Sequence, residues 1–219
     1  MTLGDTTLWS ETFPDHLVPR IIDLVLETWE TFPKPAQDDL EVPITRRFKH
    51  SLKQAKDYRR LPVRIEREPA EDHPTTGVEL GRIDLKFAPA GSAREEVYFA
   101  FECKRLNAVQ NGHRRTLASE YVTEGMMRFA SGQYASSVLH GGMIGYVLDG
   151  LYKEAIEFVS DNIENRSADL KLSEGESLEP SSLKPHLETI RETRHVLESR
   201  LFRLHHLFLA CTLAQTTPG

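Results

Sequence analysis

The stretch FAFECKRL, residues 99–106, sets Glu102 and Lys104 two positions apart inside an otherwise apolar run. On a strand, residues i and i+2 point to the same side, so this carboxylate and ammonium emerge together. Asp84 lies in the preceding strand-like segment GRIDLKF, flanked by Arg82 and Lys86. If the two strands pair in suitable register, Asp84 and Glu102 come close enough to share a divalent cation. Converging carboxylates repel each other unless a cation stands between them. Mg²⁺ takes a few carboxylate oxygens together with water and phosphate oxygens. A lysine beside such a site orients or deprotonates the attacking water, or stabilises charge on the phosphate in flight. These residue types together suit hydrolysis of a phosphodiester. The plainer alternative is an exposed strand face, with Glu102 and Lys104 paired across the sheet to Arg82 or Lys86.

The elements that must position these residues are legible from periodicity. A helix is expected from about Asp15 to Thr31, with Asp15 as its N-cap and Ile21, Ile22, Val25, Leu26 and Trp29 on its apolar face. A second, from about Glu41 to Arg60, follows the capping pair Asp38 and Asp39 and carries Ile44, Phe48, Leu52 and Ala55 at helical spacing. The period then changes. LPVRIERE, GRIDLKF and VYFAFECK alternate, which predicts three strands in an antiparallel meander, with Asp84 mid-strand opposite Ile83, Leu85 and Phe87. NAVQNGH reads as a loop, residues 116–138 as one long helix, GGMIGYVLDG as a buried strand and LYKEAIEFVSDNI as a helix. HLETIRETRHVLESR is compatible with helix or hairpin, and LFRLHHLFLA with a final strand. His205 and His206 are adjacent, so only one is expected to face a core, and His195 is expected at the surface.

Composition bounds the function. At 219 residues, with 39% hydrophobic and 27% charged side chains, the chain has the make-up of one globular domain. No apolar run approaches the ~18 residues that span a bilayer. The first residues show no secretory pattern, and two cysteines make no disulfide framework, so a reduced, cytoplasmic protein is expected. A net charge of −6 argues against a freestanding nucleic-acid binder. One local exception stands out: between Arg46 and Arg64 there are eight Lys/Arg against a single acid, Asp57.

Asp84, seventeen intervening residues and then Glu102-Cys103-Lys104 resemble the signature of the PD-(D/E)XK nuclease superfamily, the restriction-endonuclease-like fold. Ile83 stands where the motif's name has proline. The order helix, three strands, helix, strand is similar to that superfamily's αβββαβ core over roughly half the chain. The resemblance implies an α/β (α+β) fold with a mixed central sheet flanked by helices. It also implies a divalent cofactor, Mg²⁺ or Mn²⁺, and catalytic roles for Asp84, Glu102 and Lys104. Asp84 and Glu102 would ligate the metal, with Glu41 as a further ligand, although an acid there also suits a helix N-terminus. Arg128 and Gln133 would be accessory polar groups. Arg46, Lys49, Lys53, Lys56 and Arg60 would guide a phosphate backbone. The expected organisation is a single domain, with a helical extension over 1–37, the core over 38–149 and a final helix and strand over 150–219. Residues 121–150 are similar to stretches in small nucleases of bacterial defence loci. That implies restriction of phage or plasmid DNA, as a homodimer or beside an ATPase or sensor protein. Two alternatives stay open: an inactive scaffold on the same fold, and an RNA-processing nuclease.

Overall fold

The three alternating runs form one side of a mixed seven-stranded sheet, and the two apolar runs after them form its middle. In the computed structural model, residues 13–66, 70–72, 76, 79–92, 94–135, 138–198 and 200–211 are described. Helices α1 (Leu17–Thr31) and α2 (Glu41–Arg59) lead into strand β1 (Val63–Glu66). A small hairpin, β2 (Ala70–Asp72) and β3 (Glu79–Arg82), precedes β4 (Leu85–Pro89) and β5 (Phe99–Leu106). A second hairpin follows, β6 (Ala108–Gln110) and β7 (His113–Arg115). The next helical segment comprises α3 (Ala118–Tyr121), a π turn (Val122–Met126) and α4 (Met127–Ala130). Strand β8 (His140–Val147), α5 (Tyr152–Glu164), β9 (Glu179–Pro180), β10 (Ile190–Leu197) and β11 (Arg200–Ala210) complete the chain.

The sheet order is β1-β4-β5-β8-β11-β10-β9. β1, β4 and β5 pair antiparallel, β5, β8 and β11 parallel, and β11, β10 and β9 antiparallel again. The α+β class and the mixed sheet are therefore as the sequence implied. Helices cover both faces. On one, Trp29 of α1 stacks on Tyr146 of β8, with Phe48 of α2 edge-on to both. Successive strand residues point to opposite faces, so Gly145 looks the other way, and Tyr121 meets it while stacking on Phe208. The α1 segment, expected as an extension, is part of the core, with Ile21, Ile22, Leu24 and Val25 wholly buried.

Glycine in GGMIG has a steric cause. Gly142 pairs in register with Phe101, and a Cβ there would lie 2.3 Å from that ring, which is wedged against Phe87 and Phe99. Gly142→Ala should therefore cost about 3 kcal/mol, the upper end of overpacking. A urea titration showing a loss below about 0.5 kcal/mol would mean that Phe101 turns aside freely.

Several local expectations are corrected. Neither Asp15 nor the Asp38/Asp39 pair caps a helix. The positions before α1 and α2 are His16 and Leu40, without a side-chain cap bond, and Asp39 instead accepts from Ala36 N and Arg47. The first meander connection contains the β2–β3 hairpin, and NAVQNGH forms much of the β6–β7 hairpin. Asp84 is not mid-strand but sits in a bend between β3 and β4. The expected 116–138 helix is shorter and interrupted. It widens into the π turn and stops at Ala130, where Gly132 at φ +78° supplies the left-handed residue that ends helices. Of the two readings of HLETIRETRHVLESR, the structure takes the hairpin, whose second arm β11 is an interior strand.

Because β11 is covered on both faces, His205 and His206 are both fully buried, and His195 is buried too. On one face His195 and His206 join a chain of hydrogen bonds whose polarity is set by a single carbonyl, while His205, on the other, meets His140 Nδ1 through its Nε2 at 3.2 Å. His195 Nδ1 must donate to Leu170 O (2.8 Å), so its Nε2 accepts from Thr193 Oγ1 (2.7 Å). Thr193 Oγ1 then accepts from His206 Nε2 (2.9 Å), leaving His206 Nδ1 to accept from Tyr121 OH (2.9 Å). Every member is a neutral imidazole or hydroxyl, as burial requires.

Candidate active site

The antiparallel ladder between β4 and β5 ends at the Leu85–Phe101 pair, after which β5 runs on against β8 alone. Backbone N–H groups on the abandoned edge must find other acceptors. Two side chains supply them. Asp84 Oδ2 accepts from Cys103 N at 2.7 Å, and Glu41 Oε2 from Arg105 N at 3.1 Å. Alternate amides of one open edge thus anchor carboxylates from the β3–β4 bend and from the start of α2. Glu41 does more than favour a helix terminus.

Glu102 and Lys104 project together from β5, as the i, i+2 spacing predicts, toward the π turn. Glu102 is 1% exposed, so the reading of an exposed strand face does not hold. Its Oε1 accepts from Lys104 Nζ at 2.9 Å and from Arg128 Nη1 at 3.0 Å. Lys104 Nζ also lies 3.4 Å from Glu41 Oε1. Lys86, the other suggested partner, sits over the Tyr98 ring. Gly125 lets the π turn come this close: a Cβ there would meet Met143 Cε at 2.5 Å and Lys104 Cγ at 3.5 Å.

Electrostatics follow from burial. Desolvation, then the neighbouring Asp84 charge, pushes the Glu102 carboxyl up to about 8, against the pull of Lys104 and Arg128. Burial also raises Asp84, more than its Cys103 bond and the Lys104 charge lower it. For Lys104, burial works against the charge, but Glu102 and Glu41 outweigh it and hold the ammonium protonated. Were all three acids ionised they would outnumber the two cations, Lys104 and Arg128, and the Asp84 charge is part of what raises Glu102.

Among the described residues no group of three or more His, Cys, Asp or Glu side chains stands gathered around a metal position. Lys104 lies between Glu102 and Glu41 instead. The candidate donors are nevertheless of the kind a hard divalent cation takes, all carboxylate oxygens, and Glu102 Oε2 is buried with no hydrogen-bond partner. A buried, unpaired carboxylate oxygen is costly and calls for a ligand.

Of the residues singled out in the sequence, Asp84, Glu102, Lys104, Glu41 and Arg128 are brought together. Gln133 packs against Gly81 of the β2–β3 hairpin. Arg46, Lys49, Lys53 and Lys56 stand at i, i+3, i+7 and i+10 on one flank of α2. Arg60 is the left-handed residue that closes that helix, and Lys56 bridges to Asp57. One positioning side chain was not legible. Tyr134 OH donates to Arg82 O at 2.6 Å and accepts from Arg128 Nη1 at 2.7 Å, tying the strand before Asp84 to the arginine on Glu102. In the sequence Tyr134 reads only as an apolar helix residue, and no local signal marks it.

Comparisons of the chain with protein-family models, curated proteins and solved structures found no match. No helix among the described residues is long and apolar enough to cross a membrane.

Proposed function

We propose that the protein is a divalent-metal-dependent nuclease of the PD-(D/E)XK type, hydrolysing phosphodiester bonds in nucleic acid, DNA in preference to RNA. The observation that carries this is the convergence of Asp84, Glu102, Glu41 and Lys104 where β4 leaves β5, with a buried oxygen of Glu102 unpartnered. Asp84, Glu102 and Glu41 are the residues that would hold Mg²⁺ or Mn²⁺, which when bound supplies Lewis-acid polarisation and a more acidic water. Asp84 is fixed for this by its bond to Cys103 N, Glu41 by its bond to Arg105 N. Lys104, kept protonated, orients the nucleophilic water and balances charge on the phosphate rather than taking a proton from it. The basic flank of α2 supplies phosphate contacts that the acidic chain otherwise lacks. The similarity of residues 121–150 to defence-locus nucleases extends the proposal to restriction of invading DNA, as a homodimer or with an ATPase or sensor partner.

A second reading, an inactive scaffold, draws on the ion pairs of Glu102 with Lys104 and Arg128, which already offset part of its charge. Melting with and without Mn²⁺ separates the two. At about a hundred times the dissociation constant a bound ion adds ~2.7 kcal/mol, or roughly 5–10 °C for a chain of this size. The nuclease reading expects that rise, together with Mg²⁺- or Mn²⁺-dependent cutting of plasmid, linear or single-stranded nucleic acid that EDTA abolishes. A flat melting temperature with no cutting would leave the scaffold.

A further inference from the structure

Three of the exposed apolar side chains gather at one end of the sheet. Leu139, Val196 and Leu201 are 43%, 50% and 56% exposed. Val196 and Leu201 are register partners beside the tip of the β10–β11 hairpin, and Leu139 O accepts from Arg203 N at 2.9 Å. Next to them lies a depression of about 400 Å³ whose lining includes Val18, Leu183, Leu201, Asp15 and Arg203. The surroundings are fixed. His140 stacks on His205 with ring centroids 5.4 Å apart, and Arg203 is propped by Ser182 Oγ at 3.1 Å and Glu192 Oε1 at 3.8 Å. Single exposed leucines are ordinary, but a group of them beside a depression marks a surface that another molecule covers.

We propose that this patch is where two copies of the chain meet, as an isologous dimer about a two-fold axis. The inference stands whether or not the acid cluster cleaves nucleic acid. Shape is the first reason. The patch holds both projecting leucines and the hollow beside them, so a two-fold sets Leu201 of each copy at the depression of the other. Charge is the second. Among the described residues the one ion-pair contact of Asp15 is His140 Nε2, at 3.7 Å. Burial lowers the pKa of His140, so near pH 7 that ring is neutral and leaves the carboxylate, 77% exposed, without a counter-charge. Arg203 lines the same depression. A two-fold axis through the patch therefore sets Asp15 of one copy against Arg203 of the other, twice over. A surface carrying both signs suits itself, whereas a nucleic acid calls for a uniformly basic one. A small ligand in the hollow would leave the projecting side chains bare. Placement is the third reason. Successive strand residues face opposite ways, so His140 points away from the side of Met143, the register partner of Glu102. The contact lies on the face of the sheet away from the acids and leaves them uncovered.

The test uses the full chain and a Leu201→Cys variant, whose new thiol is the accessible one because Cys103 and Cys211 are buried. Light scattering gives the mass, and reaction with a maleimide gives the thiol's exposure, from about 1 to about 100 μM protein. A monomer–dimer transition is expected in that range, with the thiol reacting at least about tenfold more slowly in the dimer. Asp15→Lys, at an exposed position that leaves the fold alone, should weaken the parent dimer by about tenfold, and more so at low salt. Leu201→Glu should weaken it at least as much. A dimer whose thiol reacts at the monomer's rate, or one that both charged variants leave unchanged, overturns the inference by placing the contact elsewhere. A chain that stays monomeric overturns it too: a reactive thiol then shows a bare surface, and a protected one shows that the chain's own residues cover the patch.

Discussion

Asp84→Asn should reduce metal-dependent cleavage by about 10³-fold or more while leaving the fold intact. The choice of Asn follows from the two tasks of this side chain. Its Oδ2 accepts the Cys103 amide that β4 no longer pairs, and an asparagine oxygen can keep that bond while losing the charge a cation needs. Asp84→Ala would strip the amide of its acceptor as well, costing about 1–3 kcal/mol and confounding lost chemistry with lost structure. Lys104→Met is the matching test on the other side. It keeps an unbranched stem against Gly125 and removes the ammonium from Glu102 and Glu41. Glu102 then retains Arg128 as its cation, so the protein should fold and still show a Mn²⁺ melting shift while cleaving poorly. Cleavage by either variant within about tenfold of the parent would sink the assignment of these roles.

The second large effect is acid lability. His205 is held neutral by burial, with smaller contributions from His140 and Arg203 against the pull of Glu192, and its pKa is lowered to about 3. His206 and His195 are lowered as well, chiefly by burial. The unfolded chain takes up a proton at each near pH 6.5, the folded chain only well below. Each therefore contributes stability that is whole above about pH 6.5 and lost as pH falls toward the folded value. At about 1.36 kcal/mol per unit, His205 accounts for about 3 kcal/mol between pH 7 and 4, against a typical total of about 5–15. Glu102 runs the opposite way, since its raised pKa favours the folded state at low pH and withdraws that stability as pH rises from about 4.5 to about 8. The histidine contribution is isolated by comparing the parent with His205→Leu in denaturant across this range. The parent should lose about 3 kcal/mol relative to the variant. A flat difference would show that water or a counter-charge reaches His205 in the folded protein.

Alternation was enough to place β1, β4 and β5, and a 3.6-residue period enough to place α1, α2 and α5, because each depends on which face of an element is buried. The same logic set Glu102 and Lys104 on one side of β5, and the acidic balance set the basic flank of α2 apart. What alternation cannot encode is where a ladder stops. Asp84 fits the strand pattern but lies in a bend, because β4 leaves β5 at Leu85, and that departure comes from pairing between distant segments. Only then do the amides of Cys103 and Arg105 become free for Asp84 and Glu41, and only then do the acids meet. Nor does a sequence show when a strand is covered on both faces, which is why His195, His205 and His206 turned out to be buried and hydrogen-bonded. The residue types that could do the chemistry were thus determined by the sequence alone. Their convergence, the π turn that admits Lys104 and the tether through Tyr134 were decided by tertiary structure, since edges, covers and tethers arise only when segments far apart in the chain pack together.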